Sequence, residues 1–293
     1  MEAHLVPTFA RIVRALREHE LVSIIVPTRV VRTGLERRLG GDGVRFVVAR
    51  TDWCWCRDNG PVFVGKGNAR RIVDWGFDAW GAPWLPHRDD DRVPQLVGRV
   101  LGLPVVTRPL VIEGGALEWS GHGVFLGSRD CLTARNPGAT VECLADELRL
   151  VVGARRVIWL DGRPSDDRLT LGHVDAVARF VAPDTAVVGR VSDRGHPDHR
   201  FYERAARRIA EAGLHVLRMP LPASEDGTVC NYMNWYVANG AVLVGTFGDP
   251  RADVRAMGAV GSYFPGRQIV GIDVRALWRR GGGIHCVTMQ EPA

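Results

Sequence analysis

The architecture of this 293-residue chain can be inferred from its last glycine-rich segment, Gly281-Gly282-Gly283-Ile284-His285-Cys286-Val287-Thr288-Met289-Gln290. Three glycines allow the backbone to approach a small ligand closely. Cys286 follows them beside a histidine, and the residues after it alternate between apolar and polar types, which predicts a strand. A free cysteine is most often a buried, inert core residue. On local evidence alone, Cys286 therefore has two interpretations, nucleophile or core filling.

Conspicuous polar residues precede Cys286 at nearly constant intervals. They are Asp58, Glu113, His173 and Asn231, and the successive intervals up to Cys286 are 55, 60, 58 and 55 residues. Each interval is close to one fifth of the chain, which predicts five structural repeats that each deliver one polar group to a shared centre. Chance periodicity among selected residues is the alternative explanation of the spacing.

Helical and strand patterns alternate along the chain, which predicts an α/β protein. Val6–Glu20 has a helical pattern, as do the segment 141–152 after its N-cap Thr140 and the segment after Asp198. The predicted strands are Val22–Val26, Arg156–Leu160, Val174–Val181, Ala186–Val191, His215–Met219, Ala241–Val244 and Gln268–Ile272.

Composition and charge narrow the class of protein. With 46% hydrophobic and 24% charged residues, the chain is expected to form one globular domain over residues 1–293. The net charge is +5, and 37 of the 38 basic residues are arginines, because Lys66 is the one lysine. A GC-rich genome explains that bias more simply than nucleic-acid binding does. The basic pairs are scattered, so we expect no nucleic-acid partner.

Targeting and cysteine usage point to the cytoplasm. The N-terminus lacks an apolar signal core, and no apolar run approaches the roughly 20 residues of a membrane span. We therefore expect no membrane partner and reduced thiols. Cys54 and Cys56 form a C-x-C pair without matching zinc ligands, so we expect no bound metal.

The segment Thr51–Pro61 contains Trp53, Trp55, Arg57 and Asp58. The Arg-Asp pair could be a surface ion pair that contributes under about 1 kcal/mol, and the tryptophans could belong to the core. Taken together, they favour a carboxylate walled by aromatic rings, which suits a planar cation.

Two further segments contribute an acid and a histidine. Glu113 lies between apolar residues and two glycines, so it is either an inward-facing carboxylate that requires a donor partner or a glutamate at a solvated turn. His173 and Asp175 are two residues apart, and on a strand they would share one face. An H-x-D pair favours either metal binding or proton transfer beside a carboxylate.

Four motifs in this order resemble the agmatine deiminase and bacterial peptidylarginine deiminase group, within the guanidino-group-modifying superfamily. They are W-x-R-D-x-G-P from Trp55, E-G-G from Glu113, G-H-x-D from Gly172 and G-G-x-I-H-C-x-T-x-Q, and the resemblance spans about residues 50–292. It implies a five-bladed α/β propeller of ββαβ-type repeats around a central active site, the pentein fold.

The resemblance also implies a role for each polar group. Cys286 corresponds to the nucleophile that attacks the guanidinium carbon, and Asp58 and Asp175 correspond to the carboxylates that hold the guanidinium nitrogens. His173 corresponds to the acid and base, and Glu113 to the carboxylate that orients it. No cofactor is implied.

Some residues depart from the family pattern, and we expect them to affect recognition of the end of the substrate that is remote from the guanidinium group. Gly283 stands where the family usually has Asn, and Trp53 stands where it usually has an acid. We expect both residues, together with Trp55, to contact substrate. Because of these departures, the sequence supports a guanidine substrate more strongly than it supports agmatine in particular.

The predicted function is hydrolytic deimination of an N-alkylguanidine, giving a ureido product and ammonia through a Cys286 thiouronium. Three alternatives stay open: an amidinotransferase with the same intermediate, a peptidylarginine deiminase, and a non-catalytic binder of guanidino ligands. The expected partner is a small guanidino molecule, and a homo-oligomer is compatible with the sequence.

Overall fold

A computed structural model describes residues 4–222 and 230–292. Within these residues the strands form five sheets, four with three strands and one with two. In each three-stranded sheet the middle strand pairs antiparallel with the strand before it and parallel with the strand after it. A helix connects the two parallel strands, so each three-stranded sheet is one ββαβ unit, as predicted, whereas the two-stranded sheet is a βαβ unit.

The bounds of the helices and strands follow the chain order. The first unit contains α1 (Val6–Leu16), β1 (Val22–Val26), α2 (Arg29–Leu39) and β2 (Val44–Val48). The second contains α3 (Cys56–Asn59), β3 (Val62–Val64), β4 (Arg71–Gly76), α4 (Val93–Leu101) and β5 (Val105–Val111). The third contains β6 (Leu117–Trp119), β7 (Val124–Ser128), α5 (Arg129–Arg135), α6 (Val141–Val152) and β8 (Arg156–Leu160). The fourth contains β9 (Ala178–Ala182), β10 (Thr185–Arg190), α7 (His199–Glu211) and β11 (His215–Pro220). The fifth contains β12 (Tyr236–Val237), β13 (Ala241–Thr246), α8 (Pro250–Tyr263), β14 (Gln268–Asp273) and α9 (Arg275–Trp278).

The helices cover the sheets with apolar side chains. In the fourth unit, Tyr202 and Ile209 of α7 are buried against Val188 of β10 and Ile158 of the preceding unit. Buried side chains therefore link neighbouring units as well as the layers of one unit. No helix in the described part of the chain is long and apolar enough to cross a membrane.

Helix α1 joins the two ends of the chain. Its Ile12 and Leu16 pack against Leu243 of β13 and Ile272 of β14, in the last unit. The helix ends at Leu16 and not at Glu20 as predicted. A turn follows, in which Glu20 N donates to Leu16 O at 3.0 Å, and the Glu20 side chain accepts hydrogen bonds from Tyr236 Oη at 2.9 Å and Asn239 N at 3.3 Å.

Short turns occupy equivalent places before the first strand of successive units. Helix α3 precedes β3, and single 3-10 turns at Gly114–Ala116 and Val174–Ala176 precede β6 and β9. These are the positions of Asp58, Glu113 and His173. In three units the fold therefore presents one polar turn at the place that the even spacing predicted.

Two predicted strands are wrong in part. Residues 174–176 form a 3-10 turn and the strand begins at Ala178, because the backbone turns where His173 O accepts a hydrogen bond from Ala176 N at 3.3 Å. Residues after Cys286 form a turn and irregular chain instead of the predicted strand. There Thr288 Oγ1 donates to Ile284 O at 2.8 Å, which curls the segment back on itself.

A buried asparagine fastens the end of β5 to α5, and its removal provides a test of the fold. Asn136 Oδ1 accepts from Val111 N at 2.9 Å, and its Nδ2 donates to Val111 O and Leu132 O, each at 2.8 Å. Asn136→Ala leaves three buried backbone groups without these partners, so we expect the free energy of unfolding to fall by about 3 kcal/mol. Chemical denaturation measures it. Asn239→Ala, at an exposed site, is the matched control and should change stability by under about 0.5 kcal/mol; equal effects of the two variants would contradict this role.

Candidate active site

The structure brings five of the predicted site residues into one buried region. They are Asp58, Glu113, His173, Asp175 and Cys286, of which the first four are at most 9% exposed and Cys286 is partly exposed. They come from four separate turns of the chain, so their proximity is a property of the fold.

Glu113 is held between a histidine and an arginine. Its Oε2 lies 2.6 Å from His173 Nε2, and its Oε1 accepts a hydrogen bond from Arg135 Nε at 2.5 Å. Arg135 is fixed in turn because its Nη2 donates to Leu169 O at 2.8 Å. Glu113 is fully buried, so the solvated-turn interpretation is wrong and the inward-facing one is right.

His173 lies between two carboxylates. Its Nδ1 is 3.7 Å from Asp58 Oδ1, on the side of the ring opposite Glu113. Burial alone would lower the pKa of His173, but the charge of Asp58 and the hydrogen bond and charge of Glu113 raise that pKa well above 6.5. Burial likewise opposes the effect of His173 and Arg135 on Glu113, whose pKa is lowered overall. The two carboxylates therefore favour the cationic form of the histidine.

Asp58 receives two donors that fix its orientation. Its Oδ2 accepts from Trp80 Nε1 at 3.0 Å, and its Oδ1 accepts from Gly115 N at 3.0 Å. Burial raises the pKa of Asp58, while the charge of His173 opposes the rise. Gly115 must lack a side chain, since a Cβ there would overlap His173 Nδ1 and lie 2.9 Å from Asp58 Oδ1.

The Trp80 hydrogen bond requires an unusual backbone. Ala79 and Trp80 have φ angles of 56° and 60°, in the left-handed region that non-glycine residues rarely adopt. Such conformations persist where surrounding contacts determine them and cluster at functional sites. Here they place the indole nitrogen on Asp58.

Asp175 has one oxygen in use and one without a partner. Its Oδ2 accepts from His285 Nδ1 at 2.7 Å and from Asn234 Nδ2 at 3.2 Å. Its Oδ1 is buried and has no hydrogen-bond partner among residues 4–222 and 230–292. Burial, together with the charge of Asp58, raises the pKa of Asp175 to about 6. Buried polar atoms are nearly always satisfied, so this oxygen marks a place for a donor from a ligand.

His285 is a neutral donor to Asp175. Burial lowers the pKa of His285 well below 6.5, and the charges of Arg179 and Arg57 lower it further. A neutral imidazole has one N–H, and the contact with Asp175 Oδ2 assigns that hydrogen to Nδ1.

Cys286 faces Asn234 and Asp175. Its Sγ lies 3.3 Å from Asn234 Nδ2, 3.5 Å from Asn234 Oδ1 and 3.8 Å from Asp175 Oδ2. Burial raises the pKa of Cys286 far above the ordinary value of a cysteine thiol, and the charges of Asp175 and Asp58 raise it further. The site therefore favours the protonated thiol when no cation occupies it.

Arg57 fixes the segment that carries the thiol. Its backbone N donates to Cys286 O at 3.0 Å, and its Nη2 donates to Gln290 Oε1 at 2.9 Å. Its Nε donates to His285 O at 3.3 Å. The side chain is buried and makes no surface ion pair with Asp58, so that alternative for the Arg-Asp motif is wrong.

An aromatic cluster packs against Cys286. Trp55, Phe77 and Trp80 are buried in it, and Trp53 packs at its edge. The Trp80 ring meets Trp53 and Phe77 edge to face, with centroid distances of 6.0 and 5.0 Å. Both predicted tryptophans therefore lie beside the thiol region, and their contact with substrate stays a prediction.

The two glycines before Ile284 differ in their surroundings. A Cβ at Gly282 would meet Trp55 at 2.6 Å and Cys286 Sγ at 3.0 Å. A Cβ at Gly283 would meet Asn234 Oδ1 at 2.5 Å and Trp278 at 3.0 Å. Gly282 thus borders the thiol, whereas Gly283 makes room for Asn234, and a direct contact of Gly283 with substrate stays a prediction.

Several residues of the site were missed by sequence reasoning. The evenly spaced Asn231 lies outside it, because its Oδ1 accepts Met233 N at 3.0 Å and caps its own turn. Asn234, three residues later, contacts Cys286 instead. Arg135, Trp80 and His285 were also missed; for His285 the available signal was its place inside the G-G-x-I-H-C-x-T-x-Q motif.

Among the described residues, one group of three possible metal ligands lies close together. The ligand atoms of Glu113, Cys131 and His173 are within 4.8 Å of one another. Glu113 Oε2 and His173 Nε2 are 2.6 Å apart, and Cys131 Sγ is 3.4 Å from the same oxygen. These are direct hydrogen-bond distances, so the three side chains satisfy one another without an ion between them.

The described architecture defines a class of protein. A set of ββαβ units with a cysteine, a histidine and carboxylates buried among their turns is the arrangement of the guanidino-group-modifying enzymes. The chain belongs to the Porphyromonas-type peptidyl-arginine deiminase family, whose sequence profile matches residues 2–292.

Similar proteins support that assignment over nearly the whole chain. A candidate agmatine deiminase of Streptomyces coelicolor is 36% identical over 302 residues, which cover 97% of this chain and 88% of that protein. A counterpart from Streptococcus mutans is 30% identical over 327 residues, covering 97% and 87%. The solved agmatine deiminase of Enterococcus faecalis has a TM-score of 0.91 at 27% identity, covering 99% and 88%. The predicted family and fold class are confirmed.

The charge of His173 depends on Glu113, which provides a second prediction. Glu113→Gln removes the negative charge that raises the His173 pKa, so we expect this pKa to fall toward its ordinary value. NMR titration of labelled histidines measures it, with His173→Gln to assign the signal. Glu147→Gln is the matched control, because Glu147 is bonded to Trp75 and Arg108 and not to His173. An unchanged His173 titration in Glu113→Gln would contradict the role of this ion pair.

The neutral thiol provides a third prediction. Alkylation by iodoacetamide requires the thiolate, so modification of Cys286 without substrate should be slow at pH 7 and should rise about tenfold per pH unit beyond pH 9. Peptide mass spectrometry follows the reaction in a Cys143→Ala background, which removes an exposed free thiol. A rate that reaches its plateau below pH 8 would show a preformed thiolate.

Proposed function

We propose that the protein is a hydrolase that deiminates a small N-alkylguanidine, releasing ammonia and a ureido product. The proposal rests on Asp175 Oδ1, a buried carboxylate oxygen that has no hydrogen-bond partner among the described residues. The other oxygen of this carboxylate, Oδ2, lies 3.8 Å from Cys286 Sγ. A guanidinium is a planar cation with N–H donors in a fixed fork, and a carboxylate is its natural acceptor. The non-catalytic alternative is disfavoured because binding alone requires no thiol at this place.

In the proposed complex, Asp175 and Asp58 hold the guanidinium between them. The aromatic cluster covers its planar face, where a cation is favoured. The bound positive charge lowers the pKa of Cys286, and the thiol proton leaves to solvent. Binding of the substrate thus promotes formation of the thiolate that attacks it.

The first half of the reaction replaces ammonia by sulfur. Cys286 Sγ forms a bond with the guanidinium carbon and gives a neutral tetrahedral adduct. His173, a cation, donates its proton to one nitrogen of the adduct. The carbon–nitrogen bond breaks, ammonia leaves, and a cationic thiouronium remains on the sulfur.

The second half replaces sulfur by water. His173 is now neutral and accepts a proton from a water molecule, whose oxygen bonds to the thiouronium carbon. The new adduct collapses to the ureido product, and its hydroxyl proton is released as the carbon–sulfur bond breaks. His173 is a cation again and the free thiol re-forms. Glu113 stabilises the cationic form at both ends of the cycle.

Agmatine is the substrate that we propose within this class. The Streptomyces coelicolor and Streptococcus mutans relatives are candidate agmatine deiminases, and the Enterococcus faecalis structure is an agmatine deiminase. The family profile carries the name of peptidyl-arginine deiminases, so arginyl peptides are the second substrate to test. We further propose a single-domain enzyme of the cytoplasm, where Cys286 stays reduced, and a homo-oligomer.

The function can be tested on ammonia release from agmatine, arginine and arginyl peptides. Cys286→Ala should lower kcat by roughly 10⁴-fold or more, since no other group replaces the nucleophile. Cys143→Ala, which removes an exposed thiol, is the matched control and should keep full activity. No ammonia from any of these compounds would refute deimination, and full turnover by Cys286→Ala would refute the covalent route.

The mass of the trapped adduct separates a deiminase from an amidinotransferase. If ammonia leaves first, the adduct on Cys286 has the mass of the substrate less ammonia and changes from one substrate to the next. If the alkylamine leaves, an amidino group of constant mass remains. We expect the first result by intact-protein mass spectrometry after acid quenching. Transfer of an amidino group to an added amine would favour the amidinotransferase.

A further inference from the structure

A second cavity lies away from the catalytic region, between the chain that follows β10 and the start of α7. This groove has a volume of about 820 Å³. Five arginines line it: Arg190, Arg194, Arg200, Arg204 and Arg207. The other lining residues are Val191, Ser192, His199 and one acid, Glu203. None of them contacts the catalytic groups described above.

The arginines of the groove have no ion-pair partner in the described structure. All five are exposed, and within residues 4–222 and 230–292 none forms an ion pair or a side-chain hydrogen bond. Glu203 is bonded to a different arginine: its Oε1 accepts from Arg218 Nη2 at 2.7 Å, which lowers the pKa of Glu203, and the charge of Arg190 contributes to the same shift. Arg208, on the same helix, also has a partner, since its Nε donates to Trp159 O.

This distribution is not explained by the high arginine content of the chain. Arg200, Arg204 and Arg207 are four and three residues apart, so they form one stripe along α7. Like charges at this spacing repel one another. Glu203 lies three residues after Arg200 and four before Arg207 on the same helix, but its Oε1 accepts a hydrogen bond from Arg218. The groove therefore presents more positive than negative charge.

The shape and chemistry of the groove indicate the kind of anion. Guanidinium groups bind phosphate oxygens through paired N–H donors. The stripe from Arg200 to Arg207 is about 10 Å long at 1.5 Å per residue, long enough to contact more than one phosphate. No Phe, Tyr or Trp side chain lines the groove, so it lacks the large stacking surfaces that single-stranded nucleic acids use.

We propose that this groove binds a small molecule with two or more linked phosphates, through the phosphates and not through a base. A nucleoside triphosphate and inorganic tripolyphosphate share this chemistry. Either can occupy the groove, and the two should bind with similar affinity. The site is independent of the deiminase proposal, because it shares no residue with the reaction centre.

Calorimetric titration of the full chain with tripolyphosphate, ATP and AMP tests the proposal, in about 150 mM salt so that diffuse attraction is screened. Tripolyphosphate and ATP should bind with a stoichiometry of one, and AMP at least tenfold more weakly. The triple variant Arg200→Gln, Arg204→Gln and Arg207→Gln should weaken tripolyphosphate binding at least tenfold, which is about 1.4 kcal/mol. Its ammonia-releasing activity and thermal unfolding report whether it is folded.

The matched control is the triple variant Arg29→Gln, Arg37→Gln and Arg38→Gln on α2. It removes the same charge from another exposed helix outside the groove, so tripolyphosphate affinity should change by less than twofold. Equal losses in both triple variants would show a response to net charge and overturn the site. Absence of tripolyphosphate binding would overturn it as well. Tighter binding of a single-stranded oligonucleotide than of tripolyphosphate, lost in the α7 variant, would overturn the choice of a small molecule.

Discussion

The contact between Arg57 and the C-terminal segment is the constraint on which the reaction centre depends. Arg57 precedes Asp58 in the chain, and its backbone and side chain bond to Cys286 O, His285 O and Gln290 Oε1. One buried residue thereby fixes a carboxylate and a thiol that are more than two hundred residues apart. A lysine could not replace it, because only the guanidinium offers several N–H donors in a rigid plane. The structural role of this arginine explains why it lies beside a carboxylate without pairing with it.

The buried carboxylates of the reaction centre differ in how fully their charges are paired. Asp58, Glu113 and Asp175 are buried carboxylates, and each such charge costs several kcal/mol unless it is paired or solvated. Glu113 is paired fully, with His173 and Arg135. Asp175 is paired only on one oxygen and has a raised pKa. The negative charge that remains uncompensated is therefore concentrated beside Cys286, where it keeps the thiol protonated and attracts a cation.

Sequence reasoning identified the repeat, the family and the five polar groups, because each lies in a short motif at the same place in its unit. It placed Asn231 at the centre on spacing, but spacing fixes the position of a turn along the chain and not the direction of a side chain within it. Asn231 caps its turn and Asn234 points inward. Trp80 escaped prediction because its left-handed backbone follows no periodic pattern. His173 and Asp175 were assigned to a strand, whereas a 3-10 turn presents them.

The same charge distribution accounts for the release of the proposed product. A guanidinium brings N–H donors to Asp175 Oδ1, the oxygen that has no partner among the described residues, and its positive charge compensates the buried carboxylates. The ureido product is neutral and has a carbonyl oxygen in place of one nitrogen. That oxygen is an acceptor, so it cannot bond to a carboxylate and is repelled by it. The substrate is therefore bound more tightly than the product, which favours release of the product. Once the site holds no cation, Cys286 returns to the protonated thiol.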